Sequence, residues 1–320
     1  MQHHHLQQFE LNIEDRYRRI FSAVGLRKSH LVFPVFVSDK PRKIGSMPGI
    51  SVTSVAKLAQ YVQYAADSGI SSFIVFGIPK SRDLKGSSAS DNRGVVQRAV
   101  KEIKSTFGKS VIVITDVCVC QYNMTGHCGI VTNGKVDNDA TLQLLAEVAS
   151  SHVEAGADVI APSSMMDGQV HAIKGVLFDR GLKAMILSYS AKHASSLYAP
   201  FRSAAFAKTR LLVDKSSYQV SYANPRQAML EIETDINEGA DMVMIKPAFA
   251  YLDLVRMAKD KFRCPIAVQN VSGEYVMIKA AAIRGWIDEE ELKVCSIASI
   301  RRAGADRIIS YFALDITKYL

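Results

Sequence analysis

One local pattern recurs along this chain and restricts its architecture more than any other. Glu154-Ala-Gly156-Ala-Asp158 precedes Val159-Ile-Ala, Glu238-Gly239-Ala-Asp241 precedes Met242-Val-Met-Ile245, and Arg302-Ala-Gly304-Ala-Asp306 precedes Arg307-Ile-Ile309. Asp67-Ser-Gly69-Ile70 before Ser72-Phe-Ile-Val-Phe76 is a weaker copy. Each glycine suits the position just past a helix C-terminus, where φ is positive, and each run behind it reads as a short buried strand. Repeated helix–glycine–strand junctions mean parallel βα units.

Apolar strand runs fall at 31–37, 72–76, 111–115, 159–161, 184–188, 242–246, 266–269 and 307–311. Amphipathic helical stretches include 52–68, 138–155, 224–238 and 288–303, the third opening with Asn224 as N-cap and Pro225 as first helical residue. Eight such units in 320 residues predict an α/β fold of the closed (β/α)8 TIM-barrel type, spanning 30–320. An open doubly wound sheet is the alternative, disfavoured because no Gly-x-Gly-x-x-Gly follows the first strand. Residues 1–29 are polar, with Arg16, Arg18 and Arg19, and are expected to form an N-terminal arm used in assembly.

The composition, 48% hydrophobic and 22% charged, is that of a folded soluble protein, and no apolar run approaches the roughly 20 residues of a membrane span. The N-terminal Met1-Gln-His3-His4-His5 lacks the charged and apolar regions of a signal peptide. Five cysteines, three of them clustered, suit a reducing, cytoplasmic setting better than a disulfide scaffold. The net charge is +8, and seven Lys/Arg against two Asp lie between Asp179 and Gln219. That excess could draw an anionic partner or be a solvated face. It lacks interleaved aromatics, and no DNA-binding motif accompanies it, which argues against nucleic acid.

In a barrel of this type, active-site residues sit at the C-terminal strand ends. Asp116 and a cysteine cluster follow the third strand run, Ser163 and Ser164 the fourth; Lys192 lies four residues past the fifth and Lys246 ends the sixth. Ser272 follows the seventh and Tyr311 ends the eighth. Cys118, Cys120 and Cys128 lie within eleven residues. Cys118 and Cys120 would project to one side of an extended segment, and Gly126 and Gly129 would let Cys128 return. Three thiolates with a fourth position open suit zinc; a redox pair and plain apolar packing are the alternatives. A lysine that closes an apolar strand is partly desolvated, and a second amine nearby would lower the pKa of both, favouring attack on a carbonyl. Either lysine alone would more often snorkel to solvent.

The chain resembles the porphobilinogen synthase (5-aminolaevulinate dehydratase) family. The resemblance runs in order through Leu31-Val-Phe-Pro-Val-Phe-Val37, the Asp116–Gly129 segment, Ala161-Pro-Ser-Ser-Met-Met-Asp-Gly168, Ser188-Tyr-Ser-Ala-Lys192, Pro200-Phe-Arg202, Met244-Ile-Lys-Pro247, Val271-Ser-Gly-Glu-Tyr275 and Ser310-Tyr-Phe-Ala-Leu-Asp315. It implies a barrel with an arm, a homo-octamer, and the joining of two 5-aminolaevulinate molecules into porphobilinogen with loss of water. It implies Schiff bases at Lys246 for the first substrate and Lys192 for the second. Ser272 and Tyr311 would hold the first carboxylate, and Arg202, Lys215 and Gln219 the second, under a lid at about 195–219. It further implies zinc at Cys118, Cys120 and Cys128, and at Glu231 an allosteric magnesium found in some members.

Several residues depart from the family pattern: Ser164 for Asp, Gln169 for Arg, Lys215 for Arg, Gln269 for Tyr and Thr125 for His. A lysine clamps a carboxylate less well than a guanidinium. If the usual Asp and Arg at 164 and 169 pair with each other, losing both avoids stranding one buried charge. An active zinc enzyme is therefore the first expectation, and a catalytically weakened relative that binds substrate or serves in assembly the second. Without the resemblance, a Schiff-base aldolase would be the alternative enzyme.

Overall fold

The computed structural model describes residues 12–205 and 214–320. The His3–His5 run and the basic residues Lys208 and Arg210 lie outside them. All eight expected strands form: β1 (Leu31–Ser38), β2 (Ser72–Ile78), β3 (Ile112–Val117), β4 (Val159–Pro162), β5 (Met185–Lys192), β6 (Met242–Lys246), β7 (Ile266–Gln269) and β8 (Arg307–Ile309). They pair in parallel in sequence order, and β8 closes on β1 through Leu31↔Ile308 and Val32↔Ile309. Helices stand between strands, so this is a (β/α)8 barrel.

The helices begin where side chains cap them. Asp137 accepts from Ala140 N ahead of Asn138–Glu154, Asn224 from Gln227 N ahead of Pro225–Glu238, and Asp288 from Glu291 N ahead of Glu289–Ala303. They end as the junction pattern demands, with positive φ at Gly69, Gly156, Gly239 and Gly304.

The aspartate of each full junction has a task that local sequence does not reveal. Asp158, which leads into β4, accepts the backbone N–H of Val113 on β3 at 2.7 Å. Asp241 does the same for Ile186 on β5 at 2.8 Å, and Asp306 for Ile266 on β7 at 2.9 Å. Each ties the start of its own strand to the strand before it. Lys104 pairs with Asp158 and Lys259 with Asp306 across the same rim. The weaker copy has Ser71 in place of the aspartate, and there the backbone carbonyl of Ser71 accepts from Ile112 N.

Elements outside the repeat shape the C-terminal rim. Ser51–Thr53 adds beside β1, and a small hairpin, Ile130–Thr132 with Lys135–Asp137, closes the loop that carries the cysteines. Within the described part of the expected arm, the helix Ile13–Ala23 buries Tyr17 and Phe21, with Tyr17 edge-on to Tyr319 at 5.1 Å. Among the described residues no helix is long and apolar enough to cross a membrane.

Two strand ends differ from expectation. β5 runs on to Lys192, so this lysine ends a strand and does not lie beyond it; Ser188-Tyr-Ser-Ala is extended although it is not an apolar run. β8 stops at Ile309, which leaves Tyr311 in the following turn.

Candidate active site

Lys246 and Lys192 are paired in register across β6 and β5, so both amines enter the barrel mouth from one level. Both are buried, and the Tyr189 ring lies under both: its centroid is 4.9 Å from Lys246 Nζ and 5.9 Å from Lys192 Nζ. The Tyr198 ring is 5.3 Å from Lys246 Nζ. Burial, then the neighbouring Lys192 charge, lowers the Lys246 pKa to about 7, so much of it is neutral at physiological pH.

The expected mutual lowering of the two lysines does not occur. Burial alone would lower Lys192, but Cys128, Cys118, Cys120 and Asp116 together outweigh it and hold the amine protonated. Its Nζ donates to the Ser163 carbonyl at 2.5 Å and lies 3.9 Å from Cys128 Sγ. One amine is thus ready to attack a carbonyl while the other sits beside acidic groups, nearest the Cys128 sulfur.

The loop after Lys246 is held by Glu274, whose functional part the sequence reasoning missed. This fully buried carboxylate accepts from Ala248 N at 3.0 Å, Phe249 N at 2.5 Å and Val271 N at 2.6 Å. Its signal was the glutamate three residues into a helix start, a capping position.

Cys118, Cys120 and Cys128 converge, with ligand atoms all within 4.8 Å of one another. They do not do so on an extended segment. Chain direction reverses at Val119, whose carbonyl accepts from both Tyr122 N and Asn123 N, and this turn brings the Cys118 and Cys120 sulfurs to 3.1 Å. Gly126 turns at φ +70°, as expected. Gly129 has a different reason: a Cβ there would lie 2.6 Å from Val136 and 2.7 Å from Thr141. Thr125 hydrogen-bonds Asn123 Oδ1 at 2.9 Å and helps to hold this loop. The Tyr218 hydroxyl joins the lid to it, 3.1 Å from His127 Nδ1 and accepting from Cys128 N at 3.3 Å.

The sulfurs fit a soft metal ion. Zinc–sulfur bonds of about 2.3 Å in a tetrahedron put sulfurs roughly 3.8 Å apart, so within a group that spans up to 4.8 Å the 3.1 Å Cys118–Cys120 pair would open slightly around the ion. Hydrogen bonds from Cys118 and Cys120, then Lys192 and Lys215, hold the Cys128 thiol low. Burial pushes Cys118 up to about 11, and the hydrogen bonds with Cys118 and Cys128 push Cys120 up too. Three thiolates together therefore call for a bound cation. The group could hold a metal, as expected.

The remaining predicted residues line the same cavity: Asp116, Arg202, Lys215, Gln219, Ser272 and Tyr311. Asp116 is buried, with its carboxyl raised by that burial against the opposing pull of Lys192, and it accepts from Gln121 Nε2 at 3.2 Å. Lys215 Nζ lies 3.7 Å from Cys128 Sγ. The Ser272 hydroxyl accepts from Phe201 N at 3.1 Å and donates to the Leu197 carbonyl at 3.2 Å, which ties the segment before Arg202 across the mouth. Gly273 is required for this approach, because a Cβ would meet the Leu197 backbone at 2.5 Å. Glu231 is not brought to this cavity. It lines a separate one with Asp167 and Ser216, and burial, then the Asp167 charge, raises its carboxyl.

Three of the atypical residues, Ser164, Gln169 and Gln269, and the family-like Gln219 leave buried polar atoms without partners. Gln219 and Gln269 each have an unpartnered carboxamide oxygen, and both line the catalytic cavity. Ser164 Oγ and Gln169 Oε1 are also unpartnered, and no hydrogen bond joins these two residues. Gln169 Nε2 instead donates to Ser188 at 3.4 Å.

A family model described as "Delta-aminolevulinic acid dehydratase" matches residues 7–319. The chain belongs to the delta-aminolevulinic acid dehydratase family. Relatives of that name include one from Methanothermus sociabilis, 46% identical over 96% of each chain. Another, from Staphylococcus epidermidis, is 43% identical over 96% of this chain and 98% of its own. The crystal structure of delta-aminolevulinic acid dehydratase (porphobilinogen synthase) from Toxoplasma gondii ME49, in complex with the reaction product porphobilinogen, superposes with a TM-score of 0.90 at 36% identity. The match covers 97% of this chain and 92% of that one. The family's barrel fold is thus present, and two lysines and three cysteines of this chain lie at one mouth of it.

Proposed function

We propose that this chain is a hydro-lyase, a porphobilinogen synthase that condenses two molecules of 5-aminolaevulinate to porphobilinogen in tetrapyrrole (haem) biosynthesis. The observation that carries the reading is the pair of in-register buried amines facing one cavity beside three thiols. Family membership supports the same reaction.

Lys246 reacts first. Its neutral amine attacks the ketone of one substrate and, after loss of water, holds it as a Schiff base. Ser272 and Tyr311 receive this substrate's carboxylate. Ser272 would exchange its bond to Phe201 N for the ligand, so binding is felt in the lid. Lys192 forms the second Schiff base. It must first lose a proton, and Asp116, whose carboxyl is already raised, is in place to pass protons during the condensation. Arg202, Lys215 and Gln219 take the second carboxylate. Residues 195–219 form the lid, whose 206–213 portion lies outside the described residues. Phe201 packs against Phe36 at 5.6 Å and Phe76 at 5.3 Å, which supports closure over a dry site.

The metal at Cys118, Cys120 and Cys128 is zinc in this reading; bound there, it supplies Lewis acidity toward the second substrate. Glu231 with Asp167 offers the oxygen donors magnesium prefers, at a cavity next to lid residues Ser216 to Gln219. Residues 1–29 serve assembly into a homo-octamer, a reading carried by the resemblance and testable by sedimentation. The enzyme works in the cytoplasm, consistent with its unpaired cysteines.

The deciding experiment is a pyrrole-forming assay on 5-aminolaevulinate with metal analysis of the same sample. Turnover that tracks zinc content is expected. A zinc-loaded, folded chain that binds 5-aminolaevulinate but forms no pyrrole would favour the weakened-relative reading.

A further inference from the structure

The two lysines share a level because of an irregularity in β5. Val243 pairs with Ser188 and Ile245 with Ala191, so three residue steps on β5 span two on β6. Tyr189 and Ser190 together stand opposite Met244. Without that extra residue Ala191 would face Lys246, and Lys192 would turn toward the surrounding helices. Bulges in parallel pairs are uncommon and leave backbone unpaired, so something must fix this one.

Behind the bulge, away from the cavity, lies Asp235 on the helix Pro225–Glu238. Its Oδ2 accepts from the Ser188 hydroxyl at 2.7 Å, and within the bulge the Ser190 hydroxyl donates to the Ser188 carbonyl at 3.4 Å. Ser188 and Ser190 are fully buried and bracket Tyr189. Gln169 completes the group by donating to Ser188. Among the described residues no Lys or Arg forms an ion pair with Asp235, and burial raises its carboxyl to about 6. A buried carboxylate that lacks a cation is costly, and apolar packing would be the cheaper way merely to fill the space. In this chain the Ser188 hydroxyl, at the start of the bulge, is what the carboxylate holds.

We propose that Asp235 is a positioning residue: through Ser188 it fixes the β5 bulge and so aims Lys192 at the second substrate. This rests on the two-lysine reading above. Lys246 is supported from the other side by Glu274 and β7, so the first Schiff base should not need Asp235.

The test separates the two substrates. Full-length, zinc-loaded Asp235→Leu, Asp235→Asn and Ser188→Ala variants are compared with the parent in two readouts, with thermal stability recorded alongside. One readout is borohydride trapping of 5-aminolaevulinate on Lys246, located by peptide mass spectrometry; the other is steady-state pyrrole formation. For Asp235→Leu, pyrrole formation should fall about 100-fold with Lys246 trapping within twofold of the parent. Asp235→Asn, whose carboxamide oxygen can still accept the Ser188 hydroxyl, should recover to within about fivefold. If Asp235→Leu does not fold, Ser188→Ala should show the same split in smaller measure. Turnover near the parental rate in a folded Asp235→Leu, or in its place Ser188→Ala, would overturn the proposal. So would equal loss of trapping and turnover. No trapping on Lys246 in the parent would instead refute the two-lysine reading itself.

Discussion

The two ends of the barrel treat charge in opposite ways. At the N-terminal strand ends, Asp158, Asp241 and Asp306 each accept a neighbouring strand's N–H, and two of them also hold a lysine. At the C-terminal ends, two amines, a carboxyl and three thiols are buried together, and carboxamide oxygens face the cavity without partners. The first end consists of satisfied pairs repeated around the ring, as a structural rim should. The second accumulates cost, which makes chemical sense only if a metal and a substrate relieve it.

That contrast can be broken by exchanging the expected phenotypes. The largest effect is expected at Lys246. Lys246→Met should reduce pyrrole formation by about 10⁴-fold or more, the scale seen on losing a covalent nucleophile, while thermal stability stays level or rises. Parental turnover in that variant would remove Lys246 from the chemistry. Chelation comes next: a metal-free sample should lose roughly 10³-fold of its turnover and regain it with zinc. Full activity in demonstrably metal-free protein would show that the cysteines are not catalytic ligands.

The rim of aspartates should behave in the opposite way. Asp306→Ala removes a carboxylate that serves Ile266 N and Lys259. It should lower unfolding free energy by about 1–3 kcal/mol and leave kcat within twofold. A large loss of kcat at unchanged stability would erase the distinction between the two ends.

The pH dependence sharpens the comparison. With a Lys246 pKa of about 7, Schiff-base formation should rise with pH through that value and level off above it. The folded value lies below the 10.5 of an ordinary lysine, so the unfolded chain binds more protons between pH 7 and 10.5. The stability share of this group therefore climbs with pH across that window, and Lys246→Met should flatten it. The smallest effect is expected at Lys215, where Lys215→Arg should lower KM a few-fold through a bidentate carboxylate clamp. An unchanged KM would mean that Arg202 already suffices.

What could be read from the sequence follows the same division. Strand order and barrel closure were legible because Gly156, Gly239 and Gly304 need positive φ and apolar runs follow them, all within a few residues. The cysteine trio was legible because it is local, although a turn at Val119, not an extended segment, brings it together. Lys192 was placed beyond its strand because Ser188-Tyr-Ser-Ala interrupts the apolar run. The bulge that aims it starts at Ser188, whose hydroxyl partner Asp235 is 47 residues away in the chain. The expected fall in both lysine pKa values failed at Lys192, since the anions around it come from other strands. The aspartates of the junctions were visible as a repeat, but their partners lie on the preceding strand.

The most direct test of the account is to reduce the zinc-loaded chain with borohydride in the presence of 5-aminolaevulinate and map the adduct. The substrate mass should appear on the peptide that carries Lys246, in step with the loss of pyrrole formation. Inactivation with the adduct elsewhere, or continued pyrrole formation with Lys246 fully reduced onto substrate, would contradict the assignment of the C-terminal rim as a two-amine active site.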